Sequence, residues 1–296
     1  MRPMFSRHLF LTIPCIALSA AGQTVPDAHF HHLHLNATDP AADIQFYTTK
    51  FDAEKARFAA IMDGVWANQS WILFTKVNTP PVSDITSTIW HFGWGAEDMK
   101  ATYQKQLDSG TQFQTPITDI SDIGGGTQMG RFFYAYVDGP DHALIELNTA
   151  NHHHFGHIHL LSDDPVAAGD WYANQFGVTV RKNPQEHMYR EVQIGPSASF
   201  MMDDVNVIIY PSAYARTSKW AYWEGRQTFE STKGHVVDHI GISVKNLDDA
   251  IARLKAAGVK VTDEPRSVAG GKIKFAFIEG PDKMRIEVIE GRAAKQ

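Results

Sequence analysis

Cysteine is almost missing from this sequence. Cys15 is the single one in 296 residues, so an intrachain disulfide is excluded and thiolates cannot form a metal-binding cluster. There is no polybasic run, and 27 Lys and Arg against 33 Asp and Glu give a net charge of −6. Nucleic acid and anionic membrane surfaces are therefore poor partners. No apolar run reaches the roughly 18 residues of a membrane span. At 43% hydrophobic and 20% charged residues, the chain is neither disordered nor collagen-like but an ordinary folded one. What is abundant is histidine, with 15 residues, several of them clustered.

The first residues stand apart. Arg2 and Arg7 flank the start, residues 9–18 are apolar apart from Thr12 and Pro14, and Ser19, Ala20, Ala21 and Gly22 follow. That order reads as a secretory signal peptide over residues 1–22, cut after Ala21 or Gly22. Pro14 before Cys15 is a poor lipoprotein signal, so the mature chain is expected to carry no thiol. Its expected location is the periplasm or the exterior of the cell.

Internal similarity organises the rest. His29-Phe30-His31-His32-Leu33-His34-Leu35, continuing through Asp39-Pro40 to Phe46-Tyr47, is matched by His154-Phe155-Gly156-His157-Ile158-His159-Leu160, continuing through Asp164-Pro165 to Trp171-Tyr172. Each alternates like a strand and then turns into a helical run. Trp90-His91-Phe92-Gly93 and Asp238-His239-Ile240-Gly241 form a second pair of openings, each followed by a helical stretch. Gly139-Pro140-Asp141 and Gly280-Pro281-Asp282 sit between apolar strands and predict hairpins. Four units of strand, helix and about three strands result, near residues 28–78, 85–150, 152–212 and 234–292. Units one and two are expected to form an N-terminal domain, 28–150, and units three and four a C-terminal domain, 152–292. Residues 211–234, with Trp220, Tyr222 and Trp223, read as a connecting arm or as a lid.

One slot coincides in all four units: His32, His91, His157 and His239 sit in the opening strands. Glu146, in Ala-Leu-Ile-Glu-Leu, and Glu287, in Arg-Ile-Glu-Val, sit in the closing strands of units two and four. A carboxylate in so apolar a strand needs a compensating partner. Each half thus supplies two histidines and one glutamate, a set that leaves positions open on a divalent ion such as Fe2+, Mn2+, Co2+, Ni2+ or Zn2+. His34 and His159 follow their strand histidines by two residues and share a face with them. They are candidates for a general acid or base, or for core histidines bonded to backbone. Arg285 shares a face with Glu287, where it would clamp an anionic substrate or pair with the glutamate. His152, His153 and His154 read as a metal tract or as solvated linker residues.

These openings and closings, Gly234-His235-Val236-Val237-Asp238-His239-Ile240-Gly241 and Gly280-Pro281-Asp282 through Ile286-Glu287 above all, resemble the vicinal oxygen chelate superfamily, which includes glyoxalase I, the extradiol dioxygenases and the fosfomycin- and bleomycin-resistance proteins. The resemblance covers about residues 28–292. It implies an α+β fold of four βαβββ modules, paired into two cup-shaped curved-sheet half-barrels. It also implies a divalent metal ion held by His157, His239 and Glu287 in the C-terminal half and by His32, His91 and Glu146 in the N-terminal half. Glyoxalase I carries two carboxylates among four ligands, and Phe74, Thr75 and Tyr210 occupy the regions of the missing ones. Dioxygenase-like chemistry on a small oxygen-rich substrate is therefore the favoured expectation, with His159 or His34 handling protons. A glyoxalase-like lyase or isomerase is the alternative enzyme. A third reading is a non-catalytic binding or resistance protein, its cup lined by Trp66, Trp71, Trp90 and Trp94. Two complete pairs of modules are compatible with a monomer or a homodimer.

Overall fold

Alternation in the opening strands sends histidines to one face and aliphatics to the other, and the fold is built around that division. The computed structural model describes residues 27–123, 131–215 and 228–295. Residues 1–22 and Trp220, Tyr222 and Trp223 of the connecting arm lie outside the described residues. The first unit runs β1 (His29–Ala37), α1 (Pro40–Lys50), β2 (Glu54–Phe58), β3 (Met62–Ala67) and β4 (Ser70–Lys76). The second is β5 (Ile89–Ala96), α2 (Met99–Asp108), β6 (Phe113–Asp119), β7 (Phe133–Asp138) and β8 (Leu144–Thr149). The third is β9 (Phe155–Ser162), α3 (Pro165–Phe176), β10 (Val180–Tyr189), β11 (Val192–Met202) and β12 (Val205–Pro211). The fourth is β13 (Val237–Val244), α4 (Leu247–Ala256), β14 (Val261–Val268), β15 (Ile273–Glu279) and β16 (Arg285–Glu290).

Each helix starts where a capping side chain satisfies its free backbone N–H groups. Asp39 accepts from Ala41 and Ala42, Asp98 from Ala101, Asp164 from Ala167 and Asn246 from Asp249. Pro40 and Pro165 open their helices, where a missing N–H costs nothing. The Gly-Pro-Asp turns form the predicted hairpins, β7 with β8 and β15 with β16. Their aspartates adopt positive φ, 51° at Asp141 and 53° at Asp282. Each also ties neighbouring units together. Asp141 accepts from the Thr38 N–H and hydroxyl, both at 2.7 Å, and Asp282 accepts from the Asp163 N–H at 3.3 Å.

Two curved, open sheets of eight strands result, and their composition corrects the expected domains. One has the order β14-β15-β16-β13-β1-β4-β3-β2, the other β10-β11-β12-β9-β5-β8-β7-β6. The first joins unit one to unit four through antiparallel β1 and β13. The second joins unit two to unit three through β5 and β9. Each sheet thus takes one unit from 28–150 and one from 152–292. The short 150–154 link joins units two and three within one sheet, whereas units one and two, joined by the longer 77–88 segment, lie in different sheets. We call the two assemblies the outer sheet (units one and four) and the inner sheet (units two and three). Leu33, Leu35, Phe92, Trp94, Ile158, Leu160, Ile240 and Ile242 enter one continuous core. Phe30 meets Phe155 across it at 6.0 Å. Among the described residues no helix is long and apolar enough to cross a membrane.

Two candidate metal centres

The sheet pairing regroups the expected ligands. His32, His239 and Glu287 meet in the outer sheet, with His32 Nε2 3.8 Å and His239 Nε2 3.2 Å from Glu287 Oε2. His91, His157 and Glu146 meet in the inner sheet, where His91 Nε2 lies 2.7 Å from Glu146 Oε2. The sets His157, His239, Glu287 and His32, His91, Glu146 therefore do not form, because β13 pairs with β1 and β9 with β5. All six side chains nonetheless occupy such clusters. His34 and His159 join them. His34 stacks on His239 with ring centroids 4.5 Å apart, and His159 lies 4.3 Å from His91. Donor atoms of His91, Glu146, His157 and His159 lie within 4.8 Å of one another, as do those of His32, His34 and His239.

The two clusters are built by the same local devices. An extra residue bulges each opening strand: His31 in β1 and Asp238 in β13, Trp90 in β5 and Gly156 in β9. A bulge breaks the strict alternation of a strand and re-aims the side chain beside it. Gly241 and Gly93 lie two residues beyond His239 and His91, and a Cβ at either would run into the ring of His32 or His157. Only glycine leaves room for those imidazoles.

The donors fit a divalent ion. His32 Nε2, His239 Nε2, His157 Nε2 and both ring nitrogens of His91 and His159 are buried without a hydrogen-bonding partner. Such orphaned groups are costly unless something satisfies them. His91 Nε2 and His239 Nε2 lie close to Glu146 Oε2 and Glu287 Oε2, so nitrogens and carboxylate converge on shared space. Burial holds His32, His34, His91 and His159 well below the usual histidine range and His157 at about 4. They are neutral imidazoles with lone pairs to donate, as a metal requires.

Their surroundings differ. In the outer centre, Asp238 Oδ1 accepts from His239 Nδ1 at 2.7 Å, and His31 Nδ1 lies 2.8 Å from His32 Nδ1. Burial opposes the charge on both Asp238 and His239. Their hydrogen bond and mutual charge, with Glu287 near His239 and Arg285 near Asp238, outweigh it, lowering Asp238 and raising His239. Arg285 donates to Asp238, not to Glu287. Its guanidinium lies over Phe277 at 3.5 Å. In the inner centre, Asn148 donates to Glu146 Oε1 at 3.0 Å, and Trp90, Tyr136 and Tyr210 surround the histidines. Burial, then the Glu146 charge, pushes the Tyr210 phenol up to about 12 and Tyr136 well above its ordinary value. Of the linker histidines, His152 stacks on His154 at 3.8 Å and His153 faces Glu97 at 3.7 Å, all outside both clusters. Trp66 packs on Trp71 at 5.1 Å, and Trp94 belongs to the core.

Sequence reasoning missed Asp238 and His31, since alternation placed them on the opposite face. Asn148, two residues after Glu146, was legible by the same alternation that selected His34.

Comparison with known proteins agrees with this architecture. The family model described as Glyoxalase/Bleomycin resistance protein/Dioxygenase superfamily matches residues 29–147 and 154–288. A lactoylglutathione lyase of Salmonella typhimurium is 41% identical over 61 residues, 21% of this chain and 45% of that protein. A probable chloroplastic lactoylglutathione lyase of Arabidopsis thaliana is 44% identical over 52 residues, 18% of this chain and 15% of that protein. The chain thus spans less than half the length of these curated relatives. Glyoxalase I from Zea mays superposes with a TM-score of 0.63 at 14% identity, covering 89% of this chain and 92% of that one. A putative dioxygenase from Bacillus subtilis gives 0.57 at 14% identity, covering 88% and 84%. At those identities the structural likeness is one of fold.

Proposed function

The chain belongs to the Glyoxalase/Bleomycin resistance protein/Dioxygenase superfamily, and on that premise we propose a divalent-metal-dependent enzyme of glyoxalase type, moving a proton on a small substrate held through neighbouring oxygens. The observation that carries this reading is the convergence, in each sheet, of two histidines and one glutamate from three strands, with buried ring nitrogens that bond to nothing. The lyase names of the sequence relatives favour non-oxidative chemistry over the dioxygenase expectation.

His32, His239 and Glu287 would hold one ion and His91, His157 and Glu146 the other. A bound divalent ion supplies Lewis-acid polarisation of the substrate oxygens. The protein supplies the proton acceptor. Asn148 fixes Glu146 through Oε1, which leaves Oε2 facing into the cluster, and Glu287 Oε2 faces the equivalent space. In either glutamate, the carboxylate oxygen not taken up by the ion would be the one to take a proton from a substrate carbon and return it to the neighbouring one. Trp90, Tyr136 and Tyr210 exclude water around the inner site, which strengthens electrostatic contacts there.

A second reading is dioxygenase chemistry, favoured by a ligand set of two histidines and one carboxylate. An oxygen electrode run alongside product analysis separates them, using protein reconstituted anaerobically with each divalent metal and 2-oxoaldehyde–thiol adducts as probes. Product without oxygen uptake supports the proposal, and uptake matching product moves the chain to the dioxygenases. Ligand binding with neither metal nor turnover makes it a binding protein. Export rests on residues 1–22, and mass spectrometry of the mature N-terminus in the native host tests it, with Gln23 or Gly22 as the expected first residue.

A further inference from the structure

The two opening strands of each centre differ at the position two beyond the shared histidine. It is His34 in β1 and His159 in β9, but Gly241 in β13 and Gly93 in β5. The strand beside that position varies in step. Gly241 pairs in register with Glu287 and Gly93 with Glu146. His34 pairs with Leu73 and His159 with Ile208. Where the opening strand offers glycine the closing strand offers a carboxylate, and where it offers histidine the closing strand offers an aliphatic side chain. Ile72, Phe74, Val207 and Ile209 turn into the core, so by alternation Leu73 and Ile208 face the cup.

Resting on the metal-enzyme reading above, we propose that His34 and His159 are metal ligands, each replacing the carboxylate its own unit lacks, so that each centre is a three-histidine, one-glutamate site. His34 Nε2 is occupied by Thr75 Oγ1 at 2.8 Å, while its Nδ1 is buried and bonds to nothing. With the proton on Nε2, Nδ1 keeps a lone pair to donate, and one ring nitrogen of His34 lies within 4.8 Å of donors of His32 and His239. His159 Nδ1 is likewise orphaned and lies 4.0 Å from Glu146 Oε2. A fourth protein donor would leave a bound divalent ion fewer positions for substrate and co-reactant, which bears on the reaction class. The acid–base role expected for these two histidines passes to the glutamates.

The test is metal affinity by chelator competition, with the visible spectrum of the cobalt(II)-loaded full chain, for the unsubstituted protein, His34→Gly, His159→Gly and the exchange His34→Gly with Leu73→Glu. Losing an outer partner of a ligand weakens metal binding about 10–100-fold. Loss of a ligand is expected to exceed about 100-fold at the substituted centre and to change the cobalt spectrum. The exchange variant should recover affinity to within about tenfold, as a two-histidine, two-glutamate site. Unchanged affinity and spectrum in folded single variants overturn the proposal and return these histidines to proton transfer. A folded exchange variant that binds no better than His34→Gly overturns the substitution of one donor for the other. An unsubstituted chain that takes up no cobalt overturns this inference together with the metal-enzyme reading.

Discussion

The outer and inner centres share their donors, bulges and glycines, yet their bulge residues have diverged. In the outer centre the bulges carry His31 and Asp238, which engage the second nitrogens of His32 and His239. In the inner centre they carry Gly156 and Trp90, and His91 is left without a partner on either nitrogen. A hydrogen bond to the far nitrogen of a ligating histidine fixes its tautomer and ring orientation. The outer centre is therefore pre-arranged by polar contacts and the inner one by aromatic packing. The donors repeat between the two centres, and the residue beside each donor sets its environment.

Crossed pairing gives the largest testable effect. His32→Ala with His239→Ala is expected to remove one metal equivalent per chain, because both sit in one centre. His32→Ala with His91→Ala should remove both equivalents. Elemental analysis of protein purified without chelators decides it, and the reverse pattern would break the outer–inner division.

Acidification comes next. Burial lowers His31 and His157 from 6.5 to about 4, so the unfolded chain binds their protons first as pH falls. Stability present above 6.5 is lost between there and about 4, by about 3 kcal/mol for each such group. His239 is raised, so its contribution runs the other way: present below 6.5, lost as pH rises through its folded value. Each sheet carries three lowered histidines, His31, His32 and His34 in the outer and His91, His157 and His159 in the inner, so the raised His239 is the difference between them. In metal-free protein the inner sheet should open first in acid, seen as earlier hydrogen exchange in β5 and β9 than in β1 and β13. Simultaneous exchange would remove this difference between the centres.

Steric changes are expected to be smaller. Gly241→Ala and Gly93→Ala should each cost about 1–3 kcal/mol in thermal or denaturant unfolding, as overpacking typically does, and each should expel the ion from its own centre only. Asp238→Asn should weaken the outer centre about 10–100-fold without affecting the inner one. Trp90→Phe, at the equivalent bulge, should leave metal affinity nearly unchanged. Chelator titration resolves both.

Much of this was legible in the chain itself. Side-chain period and turn residues are local properties, so Asp39-Pro40 and Asp164-Pro165 marked two helix starts and the four strand histidines marked the cup face. Which unit pairs with which is a tertiary choice that no period encodes. The grouping of His157 with His239 accordingly gave way to that of His157 with His91. Asp238 escaped because a bulge is invisible to a count of two. Arg285 was expected to clamp an anionic substrate or pair with Glu287, and the same bulge gives it Asp238 as a partner.

The order of the strands also separates contacts that are near in sequence from contacts that are distant. Units two and three are contiguous, so the inner sheet requires only sequence that emerges from the ribosome as one uninterrupted stretch. The outer sheet closes when β13 reaches β1, at the opposite end of the chain, and pairs His239 with His34. Contacts so distant in sequence form slowly, and until then β1 presents one unpaired edge, a surface open to wrong partners. The outer centre thus depends on contacts between units one and four, and an ion bound there would report that these two distant units have come together.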